Sequence, residues 1–275
     1  MRLTRKRKLA LKDISPCHPG KKGTRGNRCL PVSVYSDISK KVQKKGSVFK
    51  AVGCQQGEEH CLLDKAPLDD AVKKSLRKEY LRPQRPKAWD ADPDMWLDNY
   101  NIMHVMKQYE EANPWFTFLG VFPIDFSAPD PYAKEKKCLH KEICDLNLIH
   151  EYNINKKRGI GMIFNLDPHY KGGSHWVGLY INITNIKKPF VDYFDSYGYD
   201  TPPLIARLMR SFKLQIKPCQ LGRNARRFQY GDSECGMFSM YFIICMMRGI
   251  SFKDFCKDSV SDDFMLQLRK ILFSK

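Results

Sequence analysis

The chain has 275 residues, 47 Lys and Arg against 30 Asp and Glu, and a formal net charge of +17. Its apolar content of 43% suits one good-sized core plus an appendage, and no apolar run reaches membrane length or forms a signal-peptide core. Ten cysteines are scattered without a tight framework, which predicts free thiols in a reducing compartment.

The charge is uneven. Residues 1–88 carry 23 basic and 8 acidic side chains, a net +15, and residues 89–275 only +2. A boundary near residue 88 is therefore expected, with a basic N-terminal arm domain over 1–88 and a second domain over 89–275. The cluster Arg5-Lys-Arg-Lys8 and the pair Lys21-Lys22 read first as a tether to DNA or RNA through phosphate contacts, and otherwise as a nuclear-import signal or a solvated tail. Helices are expected over Val32–Val42 and Asp69–Leu81, the latter with acids first and bases later. Cys17, His18, Cys29, Cys54, His60 and Cys61 lack paired C-x2-C spacing, as do Cys138, His140 and Cys144. No metal site and no cofactor is expected.

Pro83, Pro86 and Pro93 mark a connector over 82–94. Trp96 is expected to begin a helix with Ile102, Val105, Met106 and Tyr109 on its apolar side. Trp115–Phe126 reads as a buried strand and turn, and Ile160–Leu166 as the next strand. Ser174–Ile183 alternates apolar residues at Val177, Leu179, Ile181 and Ile183, the pattern of a half-buried strand. Phe190–Ser196 reads as its partner across a turn at Asn185–Pro189. Folding the two about residue 185 sets His175 beside Asp195, an imidazole oriented by a carboxylate. Pro202-Pro203 ends the Asp195 loop, Leu204–Phe212 reads as a short helix, and the last helix spans Asp262–Leu272.

The stretch Gln229-Tyr-Gly-Asp-Ser-Glu-Cys235-Gly236 opens a run of 12 almost wholly apolar residues, Gly236–Met247. That length makes about three turns of buried helix. Asp232 or Ser233 is expected to cap it. Cys235 would lie in the first turn, where unpaired N–H groups and the helix dipole favour a thiolate. Alone, such a cysteine reads first as a small hydrophobe at the mouth of a core helix.

Together, His175-Trp176, Asp195-Ser196 and Gln229 six residues before Cys235-Gly236 resemble, in order and form, the adenain and SUMO-protease superfamily of cysteine peptidases. Met95-Trp-Leu-Asp-Asn-Tyr-Asn-Ile102 resembles that family's opening Trp-Leu helix. The N-terminal arm and Gly161–Asp167 are similar to the branch that matures polyproteins in large cytoplasmic DNA viruses. One member of that branch resembles this chain closely but has Asn as third triad member, where this chain has Asp195, as in the SUMO proteases. The resemblance implies an α+β fold, a small mixed sheet with surrounding helices plus a basic, mainly helical arm. It implies a Cys235–His175–Asp195 triad, Gln229 as an oxyanion donor, and Trp176 and Gly236 lining a cleft that admits glycine-rich ends. The implied substrates are virion core polyproteins cleaved after Gly-Gly-X, in the virion and host cytoplasm. Two alternatives stand: an isopeptidase acting on SUMO or ubiquitin conjugates, and a nucleic-acid-binding virion protein on a retired protease scaffold.

Overall fold

In the computed structural model, residues 8–21, 23, 28–43, 46–131 and 138–275 are described. Contacts divide the chain into two units. One holds Met1–Leu9 and Trp96–Met265; the other holds Ala10–Met95 and Leu266–Lys275. The division thus falls between Met95 and Trp96, and the last ten residues group with the N-terminal third.

The second unit is helical: α1 (Val32–Val42), α2 (Val48–Ala51), α3 (Glu59–Lys65) and α4 (Asp70–Tyr80). Its own core joins Leu30, Ile38, Phe49, Leu62, Leu63 and Leu81. Asp69 caps α4, its carboxylate accepting from the Ala71 N–H at 2.8 Å. Buried Glu59 is held by the N–H groups of Cys29 and Leu30, each at 2.9 Å, and by the Tyr35 hydroxyl. The expected connector is not loose. Trp89 is buried, edge-on to Phe273 with ring centroids 4.9 Å apart, and the Arg269 guanidinium lies over its ring.

The expectation of free thiols is corrected here. Disulfides join Cys17 to Cys29, Cys54 to Cys61 and Cys138 to Cys144, leaving Cys219, Cys235, Cys245 and Cys256 free. The partners are 12, 7 and 6 residues apart; each bond closes a short local loop, so no long-range framework shows in the spacing. The cysteines weighed as metal ligands are the ones so bonded, and no group of three metal-binding side chains occurs among the described residues.

The first unit opens with α5 (Asn99–Ala112). Asp98 caps it reciprocally with Asn101, so Trp96 precedes the helix instead of beginning it. Then follow β1 (Phe116–Pro123), α6 (Lys141–Cys144), α7 (Leu148–Asn153), β2 (Gly159–Asn165), β3 (Trp176–Asn182), β4 (Phe190–Phe194), α8 (Pro203–Gln215), β5 (Gln220–Arg223), α9 (Cys235–Met247), α10 (Phe252–Phe255) and α11 (Asp262–Leu272). The five strands form one mixed sheet in chain order. The outer pairs β1–β2 and β4–β5 are parallel, the inner pairs antiparallel. This is the α+β fold that the sequence implies.

β3 is buried on both faces instead of one. On one side Leu179, Ile181 and Val191 meet Ile205, Met209 and Phe212 of α8. On the other lies α9, all of whose residues are buried. α9 comes close because Gly178 has no side chain: a Cβ there would stand 2.9 Å from the Phe242 ring. Each large apolar side chain so enclosed contributes about 1.5–3 kcal/mol. Among the described residues, no helix is long and apolar enough to cross a membrane.

Candidate active site

The site is assembled where β3 starts, β4 ends and α9 starts. Cys235 is the first residue of α9, where helical N–H groups lack intrahelical partners. The expected cap is corrected: Glu234, not Asp232 or Ser233, occupies the N-cap, and no side chain caps the helix. Its thirteen buried residues hold α9 in place by packing instead.

His175 immediately precedes β3 and Asp195 immediately follows β4. The ladder pairs Gly178 with Phe194 and Asn182 with Phe190, so it is centred on Ile186, one residue beyond the expected centre. Continued past the strand ends, this register sets Tyr197 across from His175 and leaves Asp195 on the diagonal. The side chains still meet: His175 Nε2 lies 2.9 Å from Asp195 Oδ1. Cys235 also raises the pKa of this ring, and Nδ1 is the ring nitrogen that Asp195 leaves for it. Burial pushes the His175 pKa down, but the hydrogen bonds to Asp195 and Cys235 and the negative charge of both push it up further, to about 9.

Asp195 is fully buried. Tyr197 N–H donates to its Oδ1 at 2.8 Å. Its backbone is clamped by Asn224, whose Oδ1 accepts from the Asp195 N–H at 2.9 Å and whose Nδ2 donates to the Asp195 carbonyl at 2.6 Å. Gln229 is equally buried. Its Oε1 accepts from the Ser196 hydroxyl at 2.7 Å, and its Nε2 donates to the Gly231 carbonyl at 3.0 Å. The dipeptide Asp195-Ser196 thus orients both the imidazole and the glutamine amide.

Trp176 is buried and donates its indole N–H to the Leu97 carbonyl at 2.9 Å. Gly236 lies under this pair, since a Cβ there would meet Leu97 Cδ1 at 3.0 Å and Trp176 Cδ1 at 3.2 Å. A cleft of about 520 Å³ is lined by Trp96, Leu97, Phe122, Asn165, Ser174 and Trp176, among others. Ser174 and Trp176 of this lining flank His175 in the sequence, while His175, Asp195, Gln229 and Cys235 themselves do not line it. Asp192 and Asp200 stand apart: Asp192 is buried within β4, and Asp200 pairs with Arg223 at 2.8 Å.

Tyr197 and Asn224 do not emerge from sequence reasoning. Tyr197 follows the recognisable Asp195-Ser196 at once, and a corrected hairpin register would have found it. Asn224 sits in a polar loop that carries no periodic signal.

Comparison with known proteins places the chain. The family model described as "Ulp1 protease family, C-terminal catalytic domain" matches residues 104–273. A protein of Acanthamoeba polyphaga mimivirus, named as a thiol protease, is 30% identical over 191 residues, covering 65% of this chain and 56% of that protein. A protein of African swine fever virus (isolate Pig/Kenya/KEN-50/1950), named as a SUMO-1 cysteine protease, is 26% identical over 118 residues, covering 41% of this chain and 43% of that protein. The chain thus spans about half the length of the curated relatives it matches. The crystal structure of an African swine fever virus protease superposes with a TM-score of 0.73 at 20% identity, covering 97% of this chain and 99% of that one. The fold is therefore shared over nearly the whole length, and the chain belongs to the Ulp1 protease family through that family's C-terminal catalytic domain.

Proposed function

We propose that this chain is a viral cysteine endopeptidase that cleaves virion core or structural polyproteins after Gly-Gly-X segments during particle maturation. The observation that carries this reading is the His175 imidazole held by Asp195 at 2.9 Å, with its pKa raised by both Asp195 and Cys235. Cys235 Sγ attacks the scissile carbonyl, forming a C–S bond and a tetrahedral oxyanion. His175, as imidazolium, gives its proton to the leaving amine as the C–N bond breaks. Water then hydrolyses the thioester, with His175 as base. Asp195 holds the ring so that Nδ1 serves Cys235. Gln229 carries two amide N–H groups and gives one to Gly231; the other, with the Cys235 backbone N–H, stabilises the oxyanion. Trp176 and Leu97 over Gly236 favour substrate residues without side chains.

A second reading, an isopeptidase removing SUMO or ubiquitin, is favoured by the name of the African swine fever virus relative, a SUMO-1 cysteine protease. The third, a nucleic-acid-binding protein on a retired scaffold, leaves the set of His175, Asp195, Gln229 and Cys235 without purpose. The net +15 over residues 1–88 supports polyanion binding as an accessory role that keeps the enzyme near packaged genome, in the virion and host cytoplasm. Incubation with Gly-Gly-X peptides, Gly-Gly-X polyprotein segments, and SUMO and ubiquitin conjugates separates the readings. Cleavage of the first two alone supports the first reading. Cleavage of conjugates alone replaces it with the second, and cleavage of none leaves the third.

A further inference from the structure

Tyr197 has no part in the reaction above, yet it touches two of its members and shares a hydrogen-bond acceptor with a third. Its ring stacks on the His175 imidazole with centroids 4.8 Å apart and planes at 25°. Its N–H donates to Asp195 Oδ1, the oxygen that meets His175 Nε2. Its hydroxyl donates to the Gly231 carbonyl at 2.9 Å, the same carbonyl that accepts from Gln229 Nε2. The Arg227 guanidinium lies 5.2 Å from the Tyr197 ring centroid, and Arg227 Nε donates to the Gln229 carbonyl at 2.6 Å.

The backbone is built to put Tyr197 there. Gly198 N–H closes a turn onto the Asp195 carbonyl at 2.9 Å. Gly198 takes φ +78°, and a Cβ would stand 2.9 Å from the Ala225 carbonyl oxygen. The ring itself is only half-buried, so its contacts are directed at the site more than at the core.

We propose that Tyr197 is a positioning residue of this peptidase: its ring holds the His175 imidazolium in place, and its hydroxyl holds the turn that orients Gln229. The proposal rests on the Cys–His–Asp reading. An aromatic face stacked on a cation favours the cationic form, so the ring prolongs the protonated state of His175 toward higher pH. The other charged or titratable groups around the pair are Asp195, Cys235, Asp232, Arg227 and Tyr199. The hydroxyl acts separately, through Gly231.

The test uses the full chain as wild type, Tyr197→Phe and Tyr197→Leu. Two quantities are followed from pH 5 to about 10.5: kcat and KM on a cleaved peptide, and the iodoacetamide rate at Cys235 read by mass spectrometry. Tyr197→Leu should move the alkaline limb of both profiles down by about half to one pH unit. It should also lower kcat about ten- to hundredfold with little change in KM. Tyr197→Phe keeps the ring, so its limb should stay in place while kcat falls a few-fold. If Tyr197→Leu lowers amplitude alone, with the limb unmoved, the residue merely packs and the proposal is overturned. It is equally overturned if Tyr197→Phe moves the limb as far as Tyr197→Leu. Should no peptide be turned over, the peptidase reading fails on its own, while the Cys235 alkylation profile still decides whether Tyr197 holds His175.

Discussion

An imidazole with a pKa raised to about 9 makes the reaction depend on pH in a definite direction. His175 is cationic below that value and neutral above it, and the leaving amine needs the cation's proton. kcat/KM should therefore fall as pH rises through about 9, as a pH–rate profile would show. Asp195→Ala should lower turnover by about 10²–10⁴, because ring orientation is lost. Asp195→Asn, which keeps the shape of the side chain, should be milder; a variant that cleaves at the wild-type rate would remove Asp195 from the reaction. His175, Asp195 and Cys235 are legible in the sequence because strand ends and a helix start can be located by pattern. Their supports are less so. Asn224 reaches Asp195 across 29 residues, and no local rule marks such a contact.

At the scale of elements, apolar pattern locates β2, β3, β4, α9 and α11, since each carries a run or a stripe that must be buried. It does not locate β5, four residues of mixed character at the sheet edge. Nor does it tell that β3 is covered on both faces, because Gly178 and Tyr180 do not look like core positions until α9 is laid against them. The same burial has a cost in β4. Asp192 is enclosed there, which raises its pKa from 3.8 to about 7, and its Oδ2 lacks a hydrogen-bond partner among the described residues. The unfolded chain releases this proton near its ordinary value while the folded chain retains it. Stability is therefore lost as pH rises from about 4 to about 7, by on the order of 4 kcal/mol in full. Asp192→Asn should raise the melting temperature at pH 8 and change it little at pH 4. Equal effects at both values would show that the carboxylate is not titrating in the fold.

At the scale of the whole molecule, charge asymmetry is plain in the sequence, whereas the division into units is not a matter of charge. The last ten residues share a unit with Ala10–Met95: Arg269 donates to the Met95 carbonyl at 2.7 Å, and the Ser274 hydroxyl lies 2.8 Å from His60 Nε2. Cutting the chain near residue 90 would strip His60 from Ser274. The polyanion role is better tested by charge reversal in the full chain. Arg5, Lys6 and Arg7 lie outside the described residues, and Lys8 is turned inward over the Phe228 ring, 4.8 Å from its centroid. Lys40 and Lys41, on α1, are described and available for the test. Lys40→Glu with Lys41→Glu should weaken binding to a DNA duplex and flatten its salt dependence by about one to two contacts. An unchanged salt slope would place the binding surface elsewhere.

The central claim is that Cys235 is the nucleophile. Three other thiols are free, and all are held back. Burial raises the pKa of Cys219, and pushes Cys245 and Cys256 to about 12, so few of them are thiolate at neutral pH. The decisive measurement is iodoacetamide labelling of the native chain at pH 7, with each thiol mapped by mass spectrometry against residual peptidase activity. Cys235 should be labelled first, and activity should fall in proportion to its occupancy. Full activity after complete labelling of Cys235 would contradict the claim.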